Sequence, residues 1–423
     1  MKEITAKEFK KEVLQGGKVA LDFYSTECPP CEALAPKFDS LSELYGEDVK
    51  FFKIFRQNNR DLADSLDVNG SPTVLFFNNG DLVGEKLTGG IKRSDLISNL
   101  NSLISEERVE EIRKSIEPSV SEYDTLIIGG GPGGLTAGLY LCQAKINAVL
   151  VDTMLPGGQV STTHKVSNYP GFVDPQPGFM LAHYMSEQTK LCGTKYKVAV
   201  DVTHVDLVKK TIVVDDYETI KAKKIILATG ASPRYLGVPG EKELKGNGIS
   251  YCATCDAKYF HDKEVIVVGG GNSAIEEAEF ISKFAESVTI IHQFDHLQAN
   301  KEAQQKAFAN PKISFIFDTE PRGFEKNGNR IRVSTENVKT GEKAIQEADG
   351  AFIFVGMKPN TDLIKDEIEK DQWGYIKTNE DMKTSIEGVY AVGDLRSKKY
   401  RQITTAVADG TIAAISLTRE LDN

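Results

Sequence analysis

Two Cys-x-x-Cys pairs stand in one chain, Cys28-Pro29-Pro30-Cys31 and Cys252-Ala253-Thr254-Cys255. Thiols three residues apart share one face of a helical turn and can close a small disulfide. Such a dithiol carries electrons by thiolate attack on another disulfide. Each pair has a carboxylate at hand. Asp256 follows Cys255 directly, and Asp22 lies in the apolar run before Cys28. A carboxylate beside a dithiol can pass a proton to the leaving thiolate. Two dithiols in one chain therefore imply a relay of reducing equivalents. Paired Cys-x-x-Cys zinc sites usually place their halves about 15–20 residues apart. Here the pairs lie in distant parts of the chain without flanking Cys or His clusters, so no metal is assigned.

Two glycine turns supply the other chemistry. Gly129, Gly131 and Gly134 satisfy G-x-G-x-x-G after an apolar run. The first glycine permits the turn, the second lets a pyrophosphate approach the backbone, and the third lets helix and strand pack closely. The helix N-terminus then offers free N–H groups to the phosphates. Asp152 ends the next apolar run, where a carboxylate can accept ribose hydroxyl bonds. Gly269, Gly271, Asn272, Ser273 and Ala274 repeat the pattern as G-x-G-x-x-A. Two dinucleotide modules in one chain are what a flavoprotein that reads a nicotinamide needs.

The elements that must position these groups are α/β units. Residues 19–24 read as a strand, 32–44 as a helix, 49–55 as a strand and 58–66 as helical. Residues 73–77 and 82–87 form a hairpin across Asn79-Gly80, and 94–104 form a helix. Asp22 then sits either buried with a role or solvated on an edge strand. Residues 105–121 are charged, with few large apolar side chains, and are broken by Pro118. They read as a linker, helical at most in their first half. Strand, turn, helix and strand follow from Tyr123 to Asp152 and recur from Glu264 to His292. Cys142 and Cys192 have no partner at C-x-x-C spacing and read as small apolar fillers.

Bulk properties narrow the class. The chain has 423 residues and a net charge of −10, which disfavours nucleic acid as a partner. No run approaches the roughly 18 apolar residues that span a bilayer, and the first residues lack a secretory apolar region. Six cysteines without an export signal point to a reducing, cytoplasmic setting.

From Tyr123 onward the chain resembles low-molecular-weight thioredoxin reductases. The matching residues are Gly129–Gly134, Pro156-Gly157-Gly158-Gln159, Asn168-Tyr169-Pro170-Gly171, Ala228-Thr229-Gly230, Cys252–Asp256, Gly269–Ala274, Gly393-Asp394 and Arg401-Gln402-Ile403. Residues 1–104 resemble thioredoxin through Asp22-Phe23-Tyr24, Cys28–Cys31, Pro36 and Pro72-Thr73, with Pro72 expected in the cis form. The resemblance implies an α/β fold: a thioredoxin domain (1–104), the linker (105–121), and two Rossmann-like domains. The FAD domain (122–234 and 353–423) is split by an inserted nicotinamide-nucleotide domain (235–352) that carries the second dithiol. It further implies a homodimer, with Gly158, Gln159, Asn168, Gly393 and Asp394 among the FAD residues. Arg401, Gln402 and Ile403 would lie near the isoalloxazine. Cys255 would face the flavin, and Cys252 would exchange with the external disulfide.

Two departures stand out. The family's Trp before the first thiol is Glu27 here, and its Gly inside the motif is Pro29, which removes one N–H from the helix start. This predicts a higher Cys28 pKa and a more reducing couple. The NADPH-using members carry three arginines in the region that reads His292-Gln293-Phe294-Asp295-His296-Leu297-Gln298 here. All three are missing, so NADH is favoured over NADPH. The expected activity is electron transfer from reduced nicotinamide through FAD and Cys252/Cys255 to Cys28/Cys31, then to protein disulfides. Alternatives are a peroxiredoxin reductase with the N-terminal domain as adaptor, a reductase driven by ferredoxin, or a non-enzymatic redox-sensing docking protein.

Overall fold

The computed structural model describes the chain apart from positions 164–165, 167, 252, 365–367 and 422–423, and apart from the side chains of Thr254 and Cys255. The first hundred residues form a head with a five-stranded sheet. Its order is Lys2–Glu3, Lys50–Phe55, Lys18–Tyr24, Thr73–Asn78, Asp81–Thr88. Lys18–Tyr24 is central and covered on both faces, so its apolar residues run without alternation. Val19, Leu21 and Phe23 enter one core cluster. Ala20 faces the other, where Leu34 and Phe38 of the helix Pro29–Tyr45 pack. By period-two alternation Asp22 shares the face of Ala20, beneath that helix.

The linker expectation is corrected. Residues 106–115 are a helix capped by Ser105, whose side chain accepts from Arg108 N–H. The helix belongs to the head. Ile112 is buried in the head's core, and Arg108 pairs with Glu47, Asp48 and Glu111. One apolar contact and one multiply paired arginine were enough to dock a segment that composition made look solvated. The next strand starts at Ser119, so only 116–118 join the two parts.

The second part holds two nucleotide-type sheets. The first runs Lys195–Val198, Ala148–Asp152, Ser119–Ile128, Glu218–Leu227, Thr211–Val214, Val202–Asp206. Val389–Ala391 joins it in parallel beside Ile225–Leu227, so this sheet is completed by residues far down the chain. The second is parallel and inserted between: Ile249–Ser250, Gly350–Ile353, Glu264–Val268, Ser287–Ile291, Ile313–Ile316. A short antiparallel ribbon, Ala231–Pro233 against Met357–Pro359, joins the two lobes.

The head is seated on the first lobe of its own chain. Lys37 Nζ donates to the carbonyls of Ile91 (3.0 Å), Val198 (3.0 Å) and Ala199 (2.6 Å). Burial lowers its pKa to about 8. Lys92 pairs with Asp201 at 2.9 Å, Lys190 pairs with Glu32, and the Arg93 guanidinium lies 5.0 Å from the Tyr217 ring centre. A cleft of about 490 Å³ remains between the two, lined by Pro29, Glu32 and Pro36 on one side and Leu155, Pro156 and Lys190 on the other. No helix among the described residues is long and apolar enough to cross a membrane.

Candidate active site

Cys28 caps the helix Pro29–Tyr45, and its Sγ accepts from Cys31 N–H at 3.2 Å. With prolines at 29 and 30, the first two helical positions offer no donor, so Cys31 supplies the nearest N–H. Cys28 and Cys31 are joined as a disulfide and only 8% and 7% exposed. The Ser71–Pro72 bond is cis, and the Ser71 carbonyl lies 3.5 Å from Cys28 Sγ. Asp22 is 7% exposed in the central strand, not on an edge, and its Oδ1 has no hydrogen-bond partner among the described residues. Burial pushes its carboxyl up to about 7, against the pull of Lys53 across the strand pair.

The first glycine turn is built for a close-lying ligand. A Cβ on Gly129 (φ +111°) would fall 2.3 Å from the Ala228 carbonyl oxygen, and one on Gly134 would fall 2.0 Å from that of Gly129. On Gly131 it would meet nothing described within 4 Å, which leaves the backbone open toward a phosphate. Asp152 accepts from Gly130 N–H at 2.6 Å and from Met154 N–H at 2.8 Å. Gly158 packs against the turn, with its Cβ position 3.1 Å from Gly131 Cα; Gln159 follows in the short helix Gly158–Thr162.

The distant segment closes the same cradle. Asn168 donates to the Gln402 side chain at 3.0 Å, across 234 positions of sequence. Arg401 donates to the Asp394 carbonyl at 3.4 Å and lies over the Tyr375 ring at 3.8 Å. Ile403 begins the helix Ile403–Leu421 and packs on the cluster of Val160, Val166 and Leu181. Asp394 Oδ1 is buried with no closer partner among the described residues than Lys398 Nζ at 3.8 Å, and burial raises its pKa against the pull of that lysine. A buried carboxylate with acceptor capacity to spare, beside an open glycine turn, fits a polyhydroxyl chain ending in a pyrophosphate, as in FAD.

The sequence reading missed what holds Asp394 in place. Asp409, buried on the last helix, accepts from Gly393 N–H (3.0 Å), Arg396 (2.7 Å) and Lys398 (2.9 Å). An acid amid apolar helix residues was the available signal.

The second turn repeats the arrangement. Gly269 (φ +131°) abuts the Phe354 carbonyl, and Gly271 is open. The helix Asn272–Ile281 starts there, carrying Ser273 and a buried Ala274. Asn272 Oδ1 accepts from Asn300 N–H at 2.6 Å. His292 is buried under Gly270, where burial lowers its pKa. Beyond it, Asp295 is held by His296 at 2.7 Å and Lys339 at 3.0 Å, which lower its carboxyl to about 2. Cys252 and the Cys255 side chain lie outside the described residues. Their neighbour Asp256 accepts from the Ser250 hydroxyl at 2.5 Å.

The comparisons agree with this geometry. A family model described as pyridine nucleotide-disulphide oxidoreductase matches residues 123–410, and a thioredoxin model matches 1–102. The chain belongs to the pyridine nucleotide-disulphide oxidoreductase family, in its flavin-dependent thioredoxin reductase group, with a thioredoxin domain in front. It is 46% identical to a thioredoxin reductase of Peptoclostridium acidaminophilum, over 69% of this chain and 95% of the relative. A thioredoxin reductase of Bacillus subtilis is 41% identical over 70% and 93%. Among solved structures, Lactococcus lactis thioredoxin reductase in the FR conformation shares 40% identity with a TM-score of 0.66, covering 70% of this chain and 98% of the other.

Proposed function

We propose that the protein passes electrons from reduced nicotinamide to its own thioredoxin head, and from there to protein disulfides. Gly129, Gly131, Gly134, Asp152, Gly158, Gln159, Asn168, Gly393, Asp394 and Arg401–Ile403 would hold FAD. Gly269, Gly271 and Asn272–Ala274 would hold the nicotinamide nucleotide. When bound, the flavin accepts the nicotinamide hydride and delivers two electrons to a disulfide. The observation that carries the reading is Asp22: a buried carboxyl that stays protonated to about pH 7 under Cys28–Cys31, in a chain with both nucleotide turns.

The steps on the protein's own sulfurs balance as follows. The Cys252 thiolate attacks Cys28, forming a Cys252–Cys28 bond and releasing Cys31, which takes its proton from Asp22. Cys255 then attacks Cys252, the mixed bond breaks, and Cys28 leaves as the thiolate poised to attack a client disulfide. Asp256 would serve the proton needs of the second dithiol. The seat on the first lobe covers the helix face next to Cys28, so the head must leave it to exchange electrons. A connector of three residues keeps it at high local concentration.

NADH is the favoured donor. Gln293, Phe294 and Gln298 stand where the NADPH users carry basic residues. Each lost charged hydrogen bond is worth about 1.5–3 kcal/mol. We further propose a homodimer working in the cytoplasm. Steady-state reduction of a protein disulfide with each nucleotide tests the donor: NADH should exceed NADPH at least roughly tenfold in kcat/KM. The reverse order would end the NADH reading. Cys255→Ser should abolish reduction of Cys28–Cys31; an unchanged rate would end the proposed path.

A further inference from the structure

Cys142 and Cys192, unpaired by sequence spacing, meet in the fold. Cys142 lies in the last turn of the helix Pro132–Gln143, and Cys192 ends the helix Gly178–Cys192. Cys142 Sγ donates to the Cys192 carbonyl at 2.6 Å, although the residues are 50 positions apart. Cys192 Sγ lies 3.8 Å from the Leu139 carbonyl on the helix that carries Cys142. Gly193 (φ +121°) turns the chain here, and a Cβ on it would come 3.4 Å from Cys142 Sγ. Both cysteines are partly exposed, so a small oxidant can reach them. The chain on either side of Cys192 reaches the docked head. Lys190, two residues before Cys192, pairs with Glu32, and Thr194, two residues after, lines the interdomain cleft.

We infer that Cys142 and Cys192 form a third redox-active pair, which a hydroperoxide closes into a disulfide that ties the two helix ends together next to the seat of the head. Burial pushes the Cys142 thiol up to about 11, which disfavours it as the first nucleophile, so the proposal gives the first attack to Cys192. Its sulfur takes the distal oxygen of the hydroperoxide, becoming a sulfenic acid while the O–O bond breaks and the alcohol or water leaves. Cys142 then attacks that sulfur, the S–S bond forms, and hydroxide departs with the Cys142 proton as water. Two thiols are oxidised by two electrons, and the hydroperoxide is reduced by the same two.

The test uses the full-length flavin-loaded protein treated with hydrogen peroxide, alkylated, and digested with trypsin without reduction. Trypsin releases Cys142 in peptide 115–145 and Cys192 in peptide 191–195. The expected product is these two peptides joined, lighter by two hydrogens, reopened by dithiothreitol and absent from Cys142→Ser and Cys192→Ser. The oxidised wild type should also unfold at higher urea than oxidised Cys142→Ser, because the bond restricts the unfolded chain. Flavin content should be the same in both proteins. Separately alkylated or sulfinic Cys142 and Cys192, at a dose that closes Cys28–Cys31, would overturn the inference.

Discussion

Replacing Asp22 by Asn separates two effects that a single stability value would mix. The wild-type carboxyl titrates at about 7 in the folded head, against an ordinary 3.8. Its folded pKa is raised, so the unfolded chain gives up the proton first. Below about pH 4 both states are protonated and the group has no effect. Between about pH 4 and 7 the unfolded state binds fewer protons, and stability falls as pH rises. Above that the loss is complete, at about 4 kcal/mol for roughly three pKa units. Asparagine cannot ionise. Its buried amide adds a cost that is constant with pH, since Asp22 Oδ1 has no partner to offer the replacement. The stability of Asp22→Asn relative to wild type should therefore improve by about 4 kcal/mol from pH 4 to pH 8. Urea titration of the full chain, with pulsed hydrogen exchange read on the peptide that contains residues 18–24, reports the head alone. A difference between variant and wild type that stays constant with pH would show that Asp22 holds no proton in the folded head. It could then not serve Cys31.

Other consequences can be checked directly. Gln293→Arg combined with Phe294→Arg should raise kcat/KM for NADPH by roughly ten- to a hundredfold, with little change for NADH, because it restores charged donors for a 2′-phosphate. Gly134→Ala puts a methyl 2.0 Å from the Gly129 carbonyl, so the purified protein should be colourless. Asp394→Ala should weaken FAD retention by about 1.5–3 kcal/mol, read as flavin released on dilution. Lys37→Ala leaves the Val198 and Ala199 carbonyls without their bonds from Lys37, and should loosen the head by about 1–3 kcal/mol. Small-angle scattering would show the expansion, and an unchanged radius would refute Lys37 as the fastener.

The sequence alone determined the chemistry. Cys-x-x-Cys spacing, glycine spacing and an acid in an apolar strand are local patterns, and they point to disulfide exchange and nucleotide binding before any fold is known. Proline at 29 states the loss of a donor before any coordinates are seen. Strand and helix positions were legible for the same reason, since their periodicity is set by nearest neighbours. What the sequence could not state is which distant segments share a surface. Asn168 meets Gln402, and Asp409 anchors Gly393, only because Val389–Ala391 returns to the first sheet. The helix Glu106–Ser115 looked like a tether because its hold on the head rests on one buried isoleucine and an arginine whose key partners lie sixty positions away. The seat of the head and the meeting of Cys142 with Cys192 depend on how finished helices pack. Packing is decided by the shapes of whole faces, and no spacing rule along the chain encodes it.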